Sequence, residues 1–248
     1  PAYNIRIAQK IIGPIQRALF EEVFNQVIQR HEALRSYIVP VEGKPVLRIQ
    51  ASAQFHFKTF DLSPHSSDDQ ARRAQEIMDV DGGRSFKTDE PLLLRGLWIK
   101  MSESVLVILS AHHLVADAWS AKLLLKEVAE NYRLLSSGSS TTSSNTPSLD
   151  FIDHVYWQRK MSENGAWSQQ VSYWREKLRD VPMLQLPTDR PRPSNQTYQG
   201  ASESWDMPAK LSKEVRALCR AEGATLFTTL LASFAVLLNR YSGQFDIP

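Results

Sequence analysis

The sequence contains one cysteine, Cys219, among 248 residues. A single cysteine forms neither an internal disulfide nor a cysteine-based zinc site, and this usage fits a reducing cytosol. No apolar run approaches the roughly 18 residues that a membrane helix needs. The first residues also lack the basic head and apolar run of a signal peptide. The sequence therefore predicts a cytoplasmic protein that does not associate with a membrane.

The sequence also has little net charge, +2 in all, and no block of lysines or arginines stands out. A dedicated nucleic-acid binder carries a concentrated positive charge, so no nucleic-acid partner is expected. The apolar fraction of 42% is sufficient for a hydrophobic core, which argues against wholesale disorder.

Strand-like and helix-like patterns alternate over the first part of the chain, which predicts an α/β fold with mixed sheets and helices packed on them. An alternating, β-branched strand opens the chain, and a helix is predicted from about 15 to 31. A later helix begins with capping residues and ends at Gly82–Gly83. Two strands joined at Ser102–Glu103 follow. The second is apolar on both faces, which indicates a central position in its sheet.

Composition divides the rest of the chain. Residues 136–148 are polar and of low complexity, which predicts a flexible surface loop. The proline-rich stretch 181–200 predicts an extended linker between two lobes. The first lobe covers residues 1–180. Residues 201–248 form the start of the second lobe, which we expect to be incomplete. In the second lobe we expect a strand over 199–208 and then two helices closed by glycines.

Two adjacent histidines, His112 and His113, end an apolar strand, and Asp117 follows four residues later. Three interpretations are open. The histidines can be ordinary polar residues whose hydrogen bonds the backbone satisfies. His113 and Asp117 have the spacing of metal ligands on a helix, although no third ligand is close in sequence. An imidazole can also accept a proton from an amine or hydroxyl that attacks a thioester.

Strand geometry separates the roles of the two histidines. Adjacent residues on a strand face opposite ways, so one imidazole can enter a channel while the other packs into the structure. An aspartate one turn later can hold the intervening loop by pairing with an arginine.

Several segments match one family. "HHLVADAWS" (112–120) and "RHEALRS" (30–36) resemble the HHxxxDG motif and the RHExLR segment of the condensation domains of non-ribosomal peptide synthetases. These domains are relatives of the chloramphenicol-acetyltransferase-like acyltransferases. Three more segments are similar to the family's tyrosine- and aspartate-rich segment, its linker and the start of its second lobe: "LDFIDHVYWQR", "YWREKL" with "LPTDRPRP", and "LFTTLLASFAVLLNRYSGQFDI". The resemblance covers essentially all 248 residues in the same order.

The resemblance implies a two-lobed chloramphenicol-acetyltransferase-like fold and an acyltransferase that forms peptide bonds. A donor acyl or peptidyl thioester and an acceptor amine would be carried on the phosphopantetheine arms of two carrier proteins. No cofactor or metal would bind directly, and an adenylation domain would be a neighbour in the same synthetase. The products of such synthetases are secondary metabolites, including antibiotics.

The resemblance also implies roles for individual residues. His113 would be catalytic, as a general base or as a group that positions the amine. His112 would be structural, and Asp117 would form a salt bridge with Arg30 or Arg35. The residues that follow the aspartate are candidates for lining the channel: Ala118, Trp119 and Ser120.

Two departures from the family pattern matter. Ala118 stands where the motif has glycine, a change that is tolerated if residue 118 already begins a helix. The chain is also about half as long as family members, so we expect it to be inactive by itself. Two alternatives remain: an epimerisation-type domain, which shares the motif, and a catalytically silent domain that binds carriers or partners.

Overall fold

The computed structural model describes residues 2–139, 149–191, 193–195, 197, 200–201 and 203–247. Contacts divide the chain into two compact units, Pro1–Glu163 and Asn164–Pro248. Of the predicted loop 136–148, Ser136 ends a helix, and residues 140–148 lie outside the described residues.

A mixed four-stranded sheet forms the centre of the first unit, in the order β1-β6-β5-β4. Strands β4 and β5 are parallel and the other neighbours are antiparallel, while β2 and β3 form a separate hairpin. The predicted central strand is β6, whose apolar residues on both faces are covered because strands flank it and helices pack on the sheet. The strands are β1 (Asn4–Ile12), β2 (Ser36–Val41), β3 (Lys44–Ile49), β4 (Phe57–Asp61), β5 (Leu94–Lys100) and β6 (Ser104–His112).

Four α-helices belong to the first unit, together with a short 3-10 helix at Glu32–Arg35. The α-helices are α1 (Arg17–Arg30), α2 (Ser67–Gly82), α3 (Ala118–Ser136) and α4 (Phe151–Glu163). Helix α2 begins as predicted, because the Ser66 side chain accepts a hydrogen bond from the Asp69 N–H. Helix α1 contributes five buried side chains to the core: Phe20, Val23, Phe24, Val27 and Ile28.

An aromatic cluster anchors α1 to the sheet and depends on a glycine in β5. The rings of Phe24, Phe55 and Phe57 pack in tilted and edge-to-face arrangements, with centroids 4.7–5.6 Å apart. A Cβ atom at Gly96 would lie only 2.5 Å from Phe55 Cζ and 2.6 Å from Phe57 Cδ1. The sheet therefore needs glycine here, because any side chain would occupy the space that the rings fill.

The second unit contains helices α5 (Ser168–Lys177), α6 (Ala209–Ala221) and α7 (Leu226–Ser242). Gly243 ends α7 in the left-handed conformation, with φ of 72°, as the glycine signal predicts. The prediction of a strand over 199–208 is wrong for the residues that are described there. An extended segment needs a neighbouring strand for its backbone hydrogen bonds, and the described part of this unit contains none.

Among the described residues, no single helix has the length and hydropathy to cross a membrane. Helices α6 and α7 pass that test only as a pair, and the chain bends by 105° between them.

Candidate active site

A tight turn at the end of β6 presents the histidine pair. The Val115 N–H donates to the His112 carbonyl over 3.0 Å and closes the turn. The His113 N–H donates to the Tyr3 carbonyl over 2.8 Å and extends the pairing with β1 by one residue. The two histidines differ in exposure: His112, the last residue of β6, is half-buried, and His113, the first residue after the strand, is exposed. The difference in exposure agrees with the expectation that the two histidines have different surroundings, and the roles of the two rings stay predictions.

Neighbouring groups hold the His112 ring. Its Nδ1 accepts a hydrogen bond from the Leu114 N–H over 3.1 Å, so this nitrogen is unprotonated. The rings of Tyr3 and Phe86 lie 6.1 and 6.3 Å away. Burial, with a smaller contribution from the charge of His113, lowers the pKa of His112. The neutral Nε2–H tautomer is therefore the form that supports the turn.

Asp117 caps helix α3, and it forms no ion pair with any arginine that the structure describes. Its Oδ1 accepts a hydrogen bond from the Ser120 N–H over 2.7 Å, and the Asp117 N–H donates to Ser120 Oγ. The Ser120 hydroxyl also donates to Asp117 Oδ1 over 2.5 Å. This hydrogen bond first, and then the one from the Ser120 N–H, lower the pKa of Asp117. The expected salt bridge to Arg30 or Arg35 is not formed, because the cap directs the carboxylate toward the first turn of its own helix. The contact that Asp117 makes is therefore a helix cap in place of the expected salt bridge, and its structural role at the site stays a prediction.

The two arginines have other partners. Arg30 Nη1 donates to Glu127 Oε1 over 2.7 Å, and Glu127 Oε2 lies 2.8 Å from His31 Nε2. Arg35 is buried and donates to the carbonyls of Gln50 and Ala51. The arginine at the end of α1 therefore connects to α3, and Arg35 holds the segment that follows β3.

Glu127 is a site residue that the sequence reasoning missed. The available signal was its helical spacing from Ser120 and Leu124, which places all three on one face of α3. That face borders the cavity described next.

A cavity of ≈ 740 Å³ opens beside His113, and we call it the His113 cavity. Ser120 lies on its wall, whereas Ala118 and Trp119 do not, and Trp119 is 71% exposed. Ala118 is the first residue of α3, which is the position where alanine replaces glycine without strain. The wall combines apolar and charged residues: Arg30, His31, Ala33, Leu34, His113, Leu114, Val115, Ala116, Asp117, Ser120, Leu123, Leu124, Lys126, Glu127, Glu130, Leu149, Asp150 and Phe151.

An imidazole that borders a cavity can accept or donate a proton. Within the described residues, the His113 ring makes no hydrogen bond, so its nitrogens can contact a molecule in the cavity. No group of three or more His, Cys, Asp or Glu side chains that could hold a metal ion occurs among the described residues.

Solved structures share this arrangement of strands and helices, and it is the chloramphenicol-acetyltransferase-like fold. The SgcC5 protein from Streptomyces globisporus superposes with a TM-score of 0.79 at 25% identity, over 100% of this chain and 56% of that chain. The first condensation domain of the calcium-dependent antibiotic synthetase superposes with a TM-score of 0.79 at 23% identity, over 99% of this chain and 58% of that chain.

The chain belongs to the condensation domain family, whose sequence profile matches residues 1–248. It is 38% identical to a linear gramicidin synthase of Brevibacillus parabrevis over 99% of this chain and 3% of that protein. It is 34% identical to the chondramide synthase of Chondromyces crocatus, over 99% of this chain and 6% of that protein. The chain thus spans a few per cent of these relatives and about half of the solved domains. The resemblance of the motifs to this family is confirmed.

Proposed function

We propose that the chain is part of a condensation domain that joins a donor acyl or peptidyl thioester to the amine of an acceptor aminoacyl thioester. The observation that carries this proposal is the position of His113, the second histidine of the family motif, which lines the cavity directly after the end of β6. Relatives that are synthases of linear gramicidin and of chondramide support the same reaction.

In the proposed reaction, the acceptor amine attacks the donor thioester carbonyl, a C–N bond forms and the C–S bond breaks. The nitrogen loses one proton, which His113 accepts, and the departing thiolate receives a proton in turn. If His113 instead positions the amine through a hydrogen bond, the same bonds form and break. Both substrates would be carried on the phosphopantetheine arms of carrier proteins, with an adenylation domain in the same synthetase.

The other site residues would shape the cavity. Asp117 and Ser120 fix the start of α3, and Glu127 ties Arg30 and His31 to the same helix. The residues that border His113 would therefore be held in place by contacts on two helices. This division gives His113 the chemical role and assigns structural roles to His112, Asp117, Arg30 and Arg35.

A second candidate is a domain that binds partners without catalysis, and a neighbouring structure motivates it. The X-domain from teicoplanin biosynthesis shares the fold with a TM-score of 0.82 at 20% identity, and it has been solved in complex with OxyB. The intact histidine pair and the Asp117 cap favour the catalytic proposal. An epimerisation-type domain would differ in its product, a carrier-bound residue of inverted configuration.

The test measures amide formation by the native polypeptide that carries this chain, with loaded donor and acceptor carrier proteins. We expect His113→Ala to lower kcat by about 10²–10⁴-fold, the usual contribution of proton transfer. His65→Ala is the matched control, because within the described residues His65 forms hydrogen bonds only through its backbone. An unchanged rate in His113→Ala would reject the catalytic assignment. Carrier binding without product in the wild type would support the silent domain, and inverted configuration would support epimerisation.

A further inference from the structure

The register of the central sheet aligns three polar side chains behind the histidine pair. Ser110 of β6 is paired with Arg6 of β1 on one side and with Arg95 of β5 on the other. Ser110 precedes His112 by two residues, so their side chains lie on the same face of β6. The row of Arg6, Ser110 and Arg95 therefore lies on the same side of the sheet as His112, opposite His113.

A buried carboxylate at the end of α2 meets this row. Asp81 is 4% exposed, and its Oδ2 accepts a hydrogen bond from Ser110 Oγ over 2.6 Å. Its Oδ1 lies 3.1 Å from Arg95 Nε. Arg95 Nη2 also donates to the carbonyls of Asp81 and Arg84, over 3.2 and 2.9 Å. One guanidinium thus satisfies both a buried carboxylate and carbonyls at the C-terminal end of a helix.

The same guanidinium connects the buried carboxylate to the histidines. Arg95 Cζ lies 3.8 Å from the centroid of the Phe86 ring, which is the distance of a stacked cation–π contact. The Phe86 ring meets His112 edge-to-face, at 6.3 Å and 83°. The contacts therefore run without a gap from Asp81 through Arg95 and Phe86 to the imidazole that supports the turn before His113.

We propose that Asp81, Arg95 and Phe86 form a positioning network that holds the His112 ring and thereby the turn that presents His113. None of the three lines the His113 cavity, so they act through His112 and not on a substrate. The effect on catalytic rate rests on the function proposed above, whereas the effect on the His112 ring does not.

The experiment compares Phe86→Leu and Arg95→Lys with the wild type in the native polypeptide. Leucine keeps the apolar contact and the Asp81–Arg95 pair but removes the ring edge. Lysine keeps a charge near Asp81 but loses the planar stack and the forked hydrogen bonds. Lys100→Met is the matched control, because Lys100 is on the same strand and pairs with the exposed Asp61.

Two measurements test the positioning network: the tautomer of the His112 ring and the rate of condensation. Proton–nitrogen NMR of labelled histidine rings reports the tautomer, and His112→Asn assigns the His112 signal. We expect one Nε2–H tautomer in the wild type and in Lys100→Met, and a mixture of tautomers in Phe86→Leu and Arg95→Lys. In the condensation assay we expect kcat to fall by about tenfold to a hundredfold in both variants, with little change in KM for the loaded carriers.

Each outcome decides the proposal. A Phe86→Leu protein that keeps the wild-type His112 signals and the wild-type kcat overturns it, even if Arg95→Lys fails to fold. A tautomer change together with a lower kcat supports it. If the wild type forms no product but the His112 signals change as expected, the proposed function fails and the positioning network is supported.

Discussion

The Arg30–Glu127–His31 contact departs from expectation, because the family resemblance implied a salt bridge from Asp117 to Arg30 or to Arg35. The Glu127 carboxylate accepts two hydrogen bonds, from Arg30 Nη1 at 2.7 Å and from His31 Nε2 at 2.8 Å. Hydrogen bonds to charged groups contribute about 1.5–3 kcal/mol each. The Arg30 and Glu127 side chains are 28% and 21% exposed, so solvent screens part of this energy. We expect Glu127→Ala to lower the free energy of unfolding by about 2 kcal/mol.

Glu130→Ala provides the matched control on the same helix. Glu130 pairs with Lys126 at 3.8 Å, and both side chains are more than half exposed. Such an exposed ion pair contributes about 0.5 kcal/mol or less to the free energy of unfolding. The measurement is urea unfolding followed by circular dichroism, at one pH and salt concentration for all variants.

A double-mutant cycle then identifies the partner of Arg30. We expect a coupling free energy of about 1 kcal/mol between Arg30→Met and Glu127→Ala, and no coupling between Arg30→Met and Asp117→Ala. If Glu127→Ala lowers the free energy of unfolding no more than Glu130→Ala does, the Arg30–Glu127 contact does not stabilise the protein. Coupling between Arg30 and Asp117 would also contradict the contact, because the carboxylate of Asp117 would then have left its helix cap.

Three further predictions concern the same unit. Gly96→Ala should destabilise the protein by about 1–3 kcal/mol, because its Cβ would overlap the Phe57 ring; an unchanged urea midpoint would contradict this. Because burial lowers the pKa of His112, its contribution to stability is present above the unfolded pKa of about 6.5 and is lost as the pH falls through the lower folded value. His112→Asn should therefore flatten the fall in unfolding free energy between about pH 7 and 5, and a slope equal to that of the wild type would argue against the assignment. Asp117→Asn should keep the helix cap and Asp117→Ala should lose it, so only the alanine variant should melt at a lower temperature. Hydrogen bonds from Ser120 lower the pKa of Asp117, so the wild-type advantage over alanine should disappear as the pH falls through that lowered pKa.

Local signals in the sequence predicted most of the fold. Alternation and apolar faces predicted β6 as a central strand, a serine cap predicted the start of α2, and Gly243 predicted the end of α7. Each of these signals acts within a few residues, so no knowledge of distant partners is needed. The strand expected over 199–208 failed for the opposite reason, since a strand exists only where another strand accepts its hydrogen bonds.

The candidate site divides in the same way. The motif and the pleat of a strand were sufficient to predict that His112 and His113 face different environments, and Ala118 at the start of a helix follows from local geometry. The partner of Arg30 lies 97 residues away on α3, and the row of Ser110 and Arg95 depends on strand register.

By itself, then, the sequence determined the family, the order of the elements and the identity of the histidine pair, because periodicity, capping and motif spacing are properties of short segments. Only the tertiary structure decided that Glu127 binds Arg30. It also decided that Asp81 contacts Arg95, which stacks on the Phe86 ring beside His112. Ion pairs between distant segments form where packing brings charges within a few ångströms, and packing is set by the whole core.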